Sequence, residues 1–529
     1  MTVDIAARID AALAAGDVAA AVELSRQALA AGDRDPFTVN LVAWQQVEDG
    51  DAPGAEQLLR RALLQTPDDP GLLTTLGLAL RRQSRLAEAL RSFDAAIALA
   101  PAYPVAWLER GFALHQGNSL KAAQASYRQA AALDQGRAAA LAGIAAIAST
   151  QGELAEARDF AGRALAVDPR DAVAHCALAR CDIADGAAVA AVARLRALLA
   201  GPGVNLDNQS AAQSLLGDAL AKLGEAQAAH DAWFAAKASL PARFPLLASA
   251  EPLTGMVARI DRAVLAGPDR WEAPPAAPGR GHAFLLGYPR SGTTLVETIL
   301  ATAEGVEALE EMPTLLAAET EFYLPADGPD RLTVIGNATA ERFRSAYWQR
   351  VADYGIGDSA RLFVDMDPLK SLDLPLIGRL FPHAAIVVMR RDPRDVILSC
   401  FRQNFAVSPI AFEFASLDRA ARHYDALMQL QQHSLARMPN PVLELRYEAL
   451  VADFDTVTQQ LCAFLGVPWT EALRDFSETA RRRNVNTASV AQVRRGLYNG
   501  GGQWQRFAAQ LEPVLPALAP WIRAFGYPL

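Results

Sequence analysis

Between Ala283 and Leu300 the chain reads Ala-Phe-Leu-Leu-Gly-Tyr-Pro-Arg-Ser-Gly-Thr-Thr-Leu-Val-Glu-Thr-Ile-Leu. Apolar residues run into a glycine-bearing turn, which delivers Arg290, Ser291, Gly292, Thr293 and Thr294 to the start of an amphipathic helix. Backbone N–H groups and a helix N-terminus facing one point hold a phosphate, and hydroxyls fill the remaining oxygens. The same run also reads as plain helix capping. A second basic site is Arg390-Arg391-Asp-Pro-Arg-Asp-Val-Ile-Leu-Ser399. Arg391 leaves a strand, Pro393 starts a helix, and Ser399 lies about a turn and a half into it. One guanidinium fork plus one hydroxyl clamps a terminal phosphate, although Arg-Asp-Pro-Arg-Asp is equally a capped, salt-bridged helix start. A third cluster, Arg481-Arg482-Arg483-Asn-Val-Asn-Thr-Ala-Ser-Val-Ala-Gln-Val-Arg494-Arg495, is rich in cations and hydroxyls with little aromatic interleaving. That composition suits a lid over a small polyanion better than a nucleic-acid stacking platform.

Gly287 and Gly292 have the spacing of the glycines in the nucleotide-triphosphate loop G-x-x-x-x-G-K-[ST], but Thr293 occupies the lysine position and Arg290 supplies the cation. Two phosphate sites, each with its own arginine, and no lysine–acid pair for a magnesium nucleotide point to binding without a metal. The four cysteines form no C-x-x-C pair and make no metal-spaced cluster with the seven histidines, so they read as buried thiols in a reducing compartment. A net charge of -9 argues against general binding of nucleic acid or anionic membranes. The start, Met-Thr-Val-Asp-Ile, lacks a basic leader, and charges interrupt every apolar run, so a soluble cytoplasmic protein without membrane insertion is expected.

The elements that must carry these residues fall into two kinds. At 529 residues and 51% hydrophobic content, two or three domains are expected. Pro36, Pro70 and Pro104 stand 34 residues apart, and Ala138 and Ala172 continue the step. A turn column runs Gly16, Gly50, Ser84, Asn118, Gly152, Gly186, and an alanine column runs Ala55, Ala89, Ala123, Ala157, Ala191. A 34-residue unit of two helices with small residues at the crossing resembles the tetratricopeptide repeat (TPR). Six units in register and a seventh at about 207–241 predict an all-α superhelix over 1–243 with a concave face for a peptide or protein partner; a passive spacer or a dimerisation surface is the other reading. A Pro/Gly-rich connector with one helix, Gly255–Leu265, is expected over 244–282. From 283 to 529, short β-rich runs alternate with helices: strands at Phe284–Leu286, Arg361–Val364, Ala385–Met389 and Val442–Leu445, a parallel sheet covered on both faces.

Tyr288-Pro-Arg-Ser-Gly-Thr-Thr-Leu295 resembles the 5′-phosphosulfate loop of sulfotransferases, and Arg391 with Ser399 resembles their 3′-phosphate motif. Leu445-Arg-Tyr447-Glu-Ala-Leu450 resembles the segment whose tyrosine lies by the nucleotide, and Thr487-Ala-Ser489-Val-Ala-Gln492-Val493-Arg494 the segment closing over it. The whole layout is similar to bacterial TPR sulfotransferases, whose catalytic half is related to tyrosylprotein sulfotransferases. The resemblance implies an α/β domain of sulfotransferase, P-loop nucleotide-kinase-like type. It also implies 3′-phosphoadenylyl sulfate (PAPS) as sulfuryl donor, 3′-phosphoadenosine 5′-phosphate (PAP) as product and no metal. The acceptor is expected to be a tyrosine or another hydroxyl of a peptide or protein. A small phenol, saccharide or lipid is the alternative acceptor, and an inactive nucleotide-binding scaffold is the non-enzyme alternative.

Glu311, in Leu309-Glu-Glu-Met-Pro313, matches the position of the catalytic glutamate in the tyrosylprotein enzymes; in an extended segment its neighbour Glu310 would face the other way. Where the relatives commonly carry lysine this chain has Met366, so Lys370 is expected either to reach the transferring group from the next helical turn or to be an exposed helix-start lysine.

Overall fold

The computed structural model describes residues 2–134, 137–273, 281–357, 360–482, 493, 496–497 and 500–529, and the chain divides into two compact units, Met1–Val204 and Asn205–Leu529. The first unit is six helix pairs. Their first helices are Thr2–Ala14, Pro36–Glu48, Pro70–Arg82, Pro104–Gln116, Ala138–Gln151 and Ala172–Ala184; their second are Val18–Ala30, Ala52–Leu63, Leu86–Leu99, Leu120–Leu133, Leu154–Val167 and Ala188–Ala200. Each periodic proline starts a helix, where its missing N–H has no intrahelical partner. Asp35 and Asp69 precede two of them and accept the amides of Thr38 and Leu72 at 3.1 and 2.8 Å. The turn column is where the chain reverses: Gly16, Gly50, Ser84, Asn118, Gly152 and Gly186 all have positive φ, from 58° to 92°. Every alanine of the column Ala55 to Ala191 is wholly buried, because the paired helices cross there.

The second unit begins with one more pair, Leu206–Leu223 and Ala226–Lys237, turned by Gly224 at φ 82°. The sequence reads this pair as the end of the array, with a boundary near 243; the compact units divide after Val204. Trp233 gives the physical reason. It is 1% exposed, lies 5.3 Å from the Phe507 ring and 6.3 Å from the Phe401 ring, and carries the Arg402 guanidinium over its face at 5.0 Å. Lys237 donates to the Gln403 carbonyl at 2.8 Å. The helix Leu253–Ala266, inside the proposed connector, packs along Leu417–Arg437, with Asp261 at 2.8 Å from His433 Nδ1. Among the described residues, no helix is long and apolar enough to cross a membrane.

A parallel five-stranded sheet follows: β1 (Gly281–Leu286), β2 (Val306–Glu310), β3 (Leu362–Met366), β4 (Ala385–Arg390) and β5 (Val442–Arg446), in the order β2-β3-β1-β4-β5. Four of these strands lie where apolar β-branched or aromatic runs predict them. β2 is the fifth; two glutamates in five residues hide it. Central β1 is covered on both faces, with Ala283, Phe284, Leu285 and Leu286 wholly buried. From β1 the chain goes towards β2 and β3, and from its neighbour β4 towards β5. Their carboxyl ends therefore flank the crevice where doubly wound sheets bind ligands. Phe284 pairs in register with Asp365, and Leu285 with Met366, which sends the carboxylate and the thioether of β3 to opposite faces.

Candidate active site

The loop after β1 turns through two left-handed residues, Arg290 at φ 73° and Gly292 at φ 107°, before the helix Thr293–Leu300. Both glycines are there for space. A Cβ on Gly287 would lie 2.4 Å from Ser291 Oγ, and one on Gly292 would lie 2.8 Å from the Tyr447 ring. Ser291, Thr293 and Thr294 are buried, and Ser291 Oγ has no hydrogen-bond partner. A buried hydroxyl left without a protein partner in a loop of this shape is free to donate to an anion.

The second cluster closes on the first. Arg290 Nε donates to Ser399 Oγ at 3.0 Å, and Arg391 Nη1 donates to the Arg290 carbonyl at 2.9 Å. Arg391 Nη2 donates to the Gly500 carbonyl at 2.7 Å, its guanidinium sits 4.8 Å from the Tyr447 ring centre, and its buried Nε has no partner. Two cations this close resist one another. Burial, with Arg391 and Arg402 nearby, lowers the Arg290 pKa to about 10, which still leaves it charged at neutral pH. Buried Pro393 opens the helix Pro393–Arg402, Asp392 accepts the Arg394 amide at 3.0 Å, and Asp395 accepts the Gly502 and Trp504 amides at 2.7 and 2.8 Å. The structure thus brings Arg290, Ser291, Gly292, Thr293, Thr294, Arg391, Ser399 and Tyr447 together. Ser489, Gln492 and Arg494 lie outside the described residues; Val493 is buried in the apolar layer beneath Tyr447. Two phosphate groups fit this donor set, because the unpartnered Ser291 Oγ and Arg391 Nε belong one to each of the two motifs.

Glu310 ends β2, and the chain leaves the extended conformation at Glu311, whose φ is 49°. The alternation expected of the two glutamates therefore does not hold, and Glu311 turns independently. Its amide is pinned to the Met366 carbonyl at 2.7 Å. The side chain lines a 430 Å³ cavity, in part exposed and in part covered by protein. That partial burial, helped by Asp367, raises its pKa to about 7, and Arg290 and Lys370 oppose the shift. A carboxyl balanced near neutrality is suited to taking a proton.

Lys370 is 2% exposed. It is ion-paired with Asp365, which is wholly buried, and donates to the Met312 carbonyl at 3.0 Å. Burial alone would lower its pKa; Asp365 and Asp367 outweigh burial and raise it. Asp365 also accepts Thr314 Oγ1 at 2.7 Å and the Tyr347 hydroxyl at 2.8 Å. Lys370 is thus no exposed helix-start lysine: it lines the same cavity as Glu311, with two of its three donors spent. Met366, wholly buried, joins Leu285, Met389 and Tyr447 in the opposite apolar layer.

Sequence reasoning passed over much of the cavity wall: Leu253 and Met256 from the connector helix, Tyr323, the Ser408–Ile410 turn, and His423. His423 accepts or donates at 2.8 Å to the Tyr288 hydroxyl, and burial lowers its pKa to about 3, which keeps it neutral. The only local signal was Tyr288 itself, next to the loop. Among the described residues no group of three or more His, Cys, Asp or Glu is arranged to hold a metal ion.

Residues 283–471 match the family model described as "Sulfotransferase family". An uncharacterized protein of Aquifex aeolicus (strain VF5) is 30% identical over 258 residues, which cover 45% of this chain and 33% of that protein. Protein-tyrosine sulfotransferase 1 of Danio rerio is 26% identical over 200 residues, 37% of this chain and 56% of that protein. The chain thus spans less than two thirds of either relative. Among solved structures, a tetratricopeptide repeat protein from Parabacteroides merdae ATCC 43184 aligns with a TM-score of 0.34 at 16% identity, over 44% of this chain and 91% of its own. The repeat reading rests on the helices themselves. The chain therefore carries a sulfotransferase-family domain over 283–471, preceded by an N-terminal region of TPR-like helical repeats.

Proposed function

We propose that the protein transfers the sulfuryl group of PAPS to a hydroxyl, with a tyrosine or other hydroxyl of a peptide or protein as the leading acceptor. The observation that carries the reading is the joining of the two phosphate motifs, Arg290 to Ser399 and Arg391 to the Arg290 carbonyl, beside a cavity that opens on Glu311. The donor supplies the chemistry of transfer: the acceptor oxygen bonds to sulfur as the bond from sulfur to the 5′-phosphate oxygen breaks, its electron pair staying on that phosphate. Glu311, ionised, takes the acceptor's proton. Arg290, Ser291 and the amides of 291–294 stabilise charge on the transferring and leaving oxygens. Arg391 and Ser399 hold the 3′-phosphate, and Tyr447 flanks the nucleotide.

The peptide reading is supported by a 180 Å³ cleft in the repeat unit, lined by Phe37, Asn40, Trp44, Thr74, Tyr103 and Glu109. The second reading, a small hydroxyl acceptor, is supported by the Glu311 cavity being lined within the unit Asn205–Leu529 alone. Calorimetry with PAP in EDTA, followed by turnover of labelled PAPS with tyrosine peptides and simple phenols, tests both. Absence of PAP binding overturns the sulfotransferase reading; PAP binding without turnover of any hydroxyl favours a scaffold. Trp44→Ala should raise KM for a peptide and leave a phenol unchanged if the repeats hold the acceptor.

A further inference from the structure

The Glu311 cavity has an unusual interior. Its lining is largely apolar, with Leu253, Met256, Leu316, Leu324 and Ile410, and also carries Glu319, Asp367 and Asp373. Asp373 is 5% exposed, and its Oδ1 is buried without any hydrogen-bond partner. Asp367 is partly satisfied, since its Oδ1 accepts the Leu369 amide at 2.8 Å. The one lysine in this wall, Lys370, is paired with Asp365, and Arg350 acts on Glu319 through its charge. The wall therefore holds more carboxylate than cation. No metal arrangement of these groups exists among the described residues.

A buried acceptor oxygen without a donor costs folding free energy unless a ligand supplies the donor. Burial drives the Asp373 carboxyl well above its ordinary pKa, and Glu319 adds to the effect. Glu319 is raised for the same primary reason, burial. A cation entering between them would restore the missing counter-charge. An anionic ligand would add to the repulsion.

Resting on the transferase reading above, we infer that the preferred acceptor carries a protonated amine across an apolar body from its reacting hydroxyl, the amine seated on Asp373 and Glu319 and the hydroxyl on Glu311. A phenolic amine is the simplest member of the class; a tyrosine bearing a free α-amine, or one beside a basic side chain, is the peptide member. The apolar lining excludes water from the aromatic body, and the charge-assisted contact at Asp373 fixes its depth.

Three phenols of nearly equal size separate the possibilities: tyramine, 4-propylphenol and 3-(4-hydroxyphenyl)propanoate. With labelled PAPS and the full chain, kcat/KM should favour tyramine over 4-propylphenol by at least about tenfold, with the propanoate lowest. Asp373→Asn should cut the tyramine advantage over 4-propylphenol to within about threefold while leaving PAP affinity unchanged. Glu319→Gln, at a half-buried position, should reduce the advantage in the same direction and covers the case in which the Asp373 variant folds poorly. Turnover without amine preference, or a preference untouched by both variants in folded protein, overturns this inference and leaves the transferase reading standing. PAP binding with no turnover of any of the three overturns it as well, whereas loss of PAP binding in the native chain overturns the transferase reading itself.

Discussion

Lys370 gives the sharpest separation of structure from chemistry. Its side chain is 3% exposed and the Asp365 side chain wholly buried. Replacing Lys370 by Met removes one charge and leaves the other in a low-dielectric site. Breaking a buried pair in this way costs about 3–5 kcal/mol. Thr314 and Tyr347 still donate to Asp365 Oδ2, which favours the lower end of that range. The assay is denaturant unfolding, read on the transition that PAP shifts to higher denaturant. Lys370→Met should lose about 3 kcal/mol, and Asp365→Asn/Lys370→Met should recover to within about 1 kcal/mol of the native chain. A single variant within about 0.5 kcal/mol of native would refute the reasoning, because no buried pair would then be at stake. If the double variant recovers its fold and not its turnover, the Lys370–Asp365 pair serves the chemistry as well as the fold.

Glu311→Gln should lower kcat by about 10²–10⁴-fold with PAP affinity unchanged. In the native chain log kcat/KM should rise with pH up to about 7 and then level, because the base works deprotonated. With the folded-state pKa raised above the ordinary 4.5, ionised Glu311 weighs against the fold increasingly between pH 4.5 and 7, so the glutamine variant should gain stability at pH 8 and none at pH 4. A flat pH profile in the native chain would remove Glu311 from the chemistry. Arg290→Ala and Arg391→Ala should each cost about 2–5 kcal/mol of PAP affinity by calorimetry, with less than additive loss in the double variant because the two side chains share contacts. Trp233→Ala should cost about 3–5 kcal/mol of the unfolding free energy of the same PAP-shifted transition and weaken PAP, since Trp233 packs on Phe401 in the helix that carries Ser399; unchanged PAP affinity would uncouple the last helix pair from the nucleotide site.

The legible parts of this chain are those where one local rule decides the residue. A 34-residue step of proline, positive-φ turn residue and buried alanine specifies a helix pair with little help from elsewhere, so the columns and the helices coincide. The phosphate loop was legible for the same reason: Gly287 and Gly292 sit where any Cβ would collide. The rest depends on distant partners. Nothing local to Trp233 says that its ring meets Phe401 and Phe507. β2 was hidden because a strand next to buried β3 tolerates Glu307 and Glu310. The cavity wall draws on residues from Leu253 to Leu427, a span that no spacing rule reads.

Met366 and Lys370 lie only four residues apart, yet β3 separates what they serve. Met366 points into the layer of Leu285, Met389 and Tyr447, and both Met389 and Tyr447 approach Gly292 of the phosphate loop. A lysine at 366 would arrive from the phosphate-loop side of the sheet. Lys370 instead meets Asp365, the strand neighbour that faces the other way, and reaches the cavity from the acceptor side. The two positions are therefore not interchangeable routes to one ammonium. On the transfer proposed above, with methionine at 366 and Lys370 held by Asp365, the cationic help on the leaving oxygen would fall to Arg290, whose Nε donates to Ser399 of the other cluster. On that proposal, the groups assigned to the 3′-phosphate and to the leaving oxygen belong to one hydrogen-bonded unit. That is why substitutions in either phosphate motif should be felt in kcat as well as in nucleotide affinity.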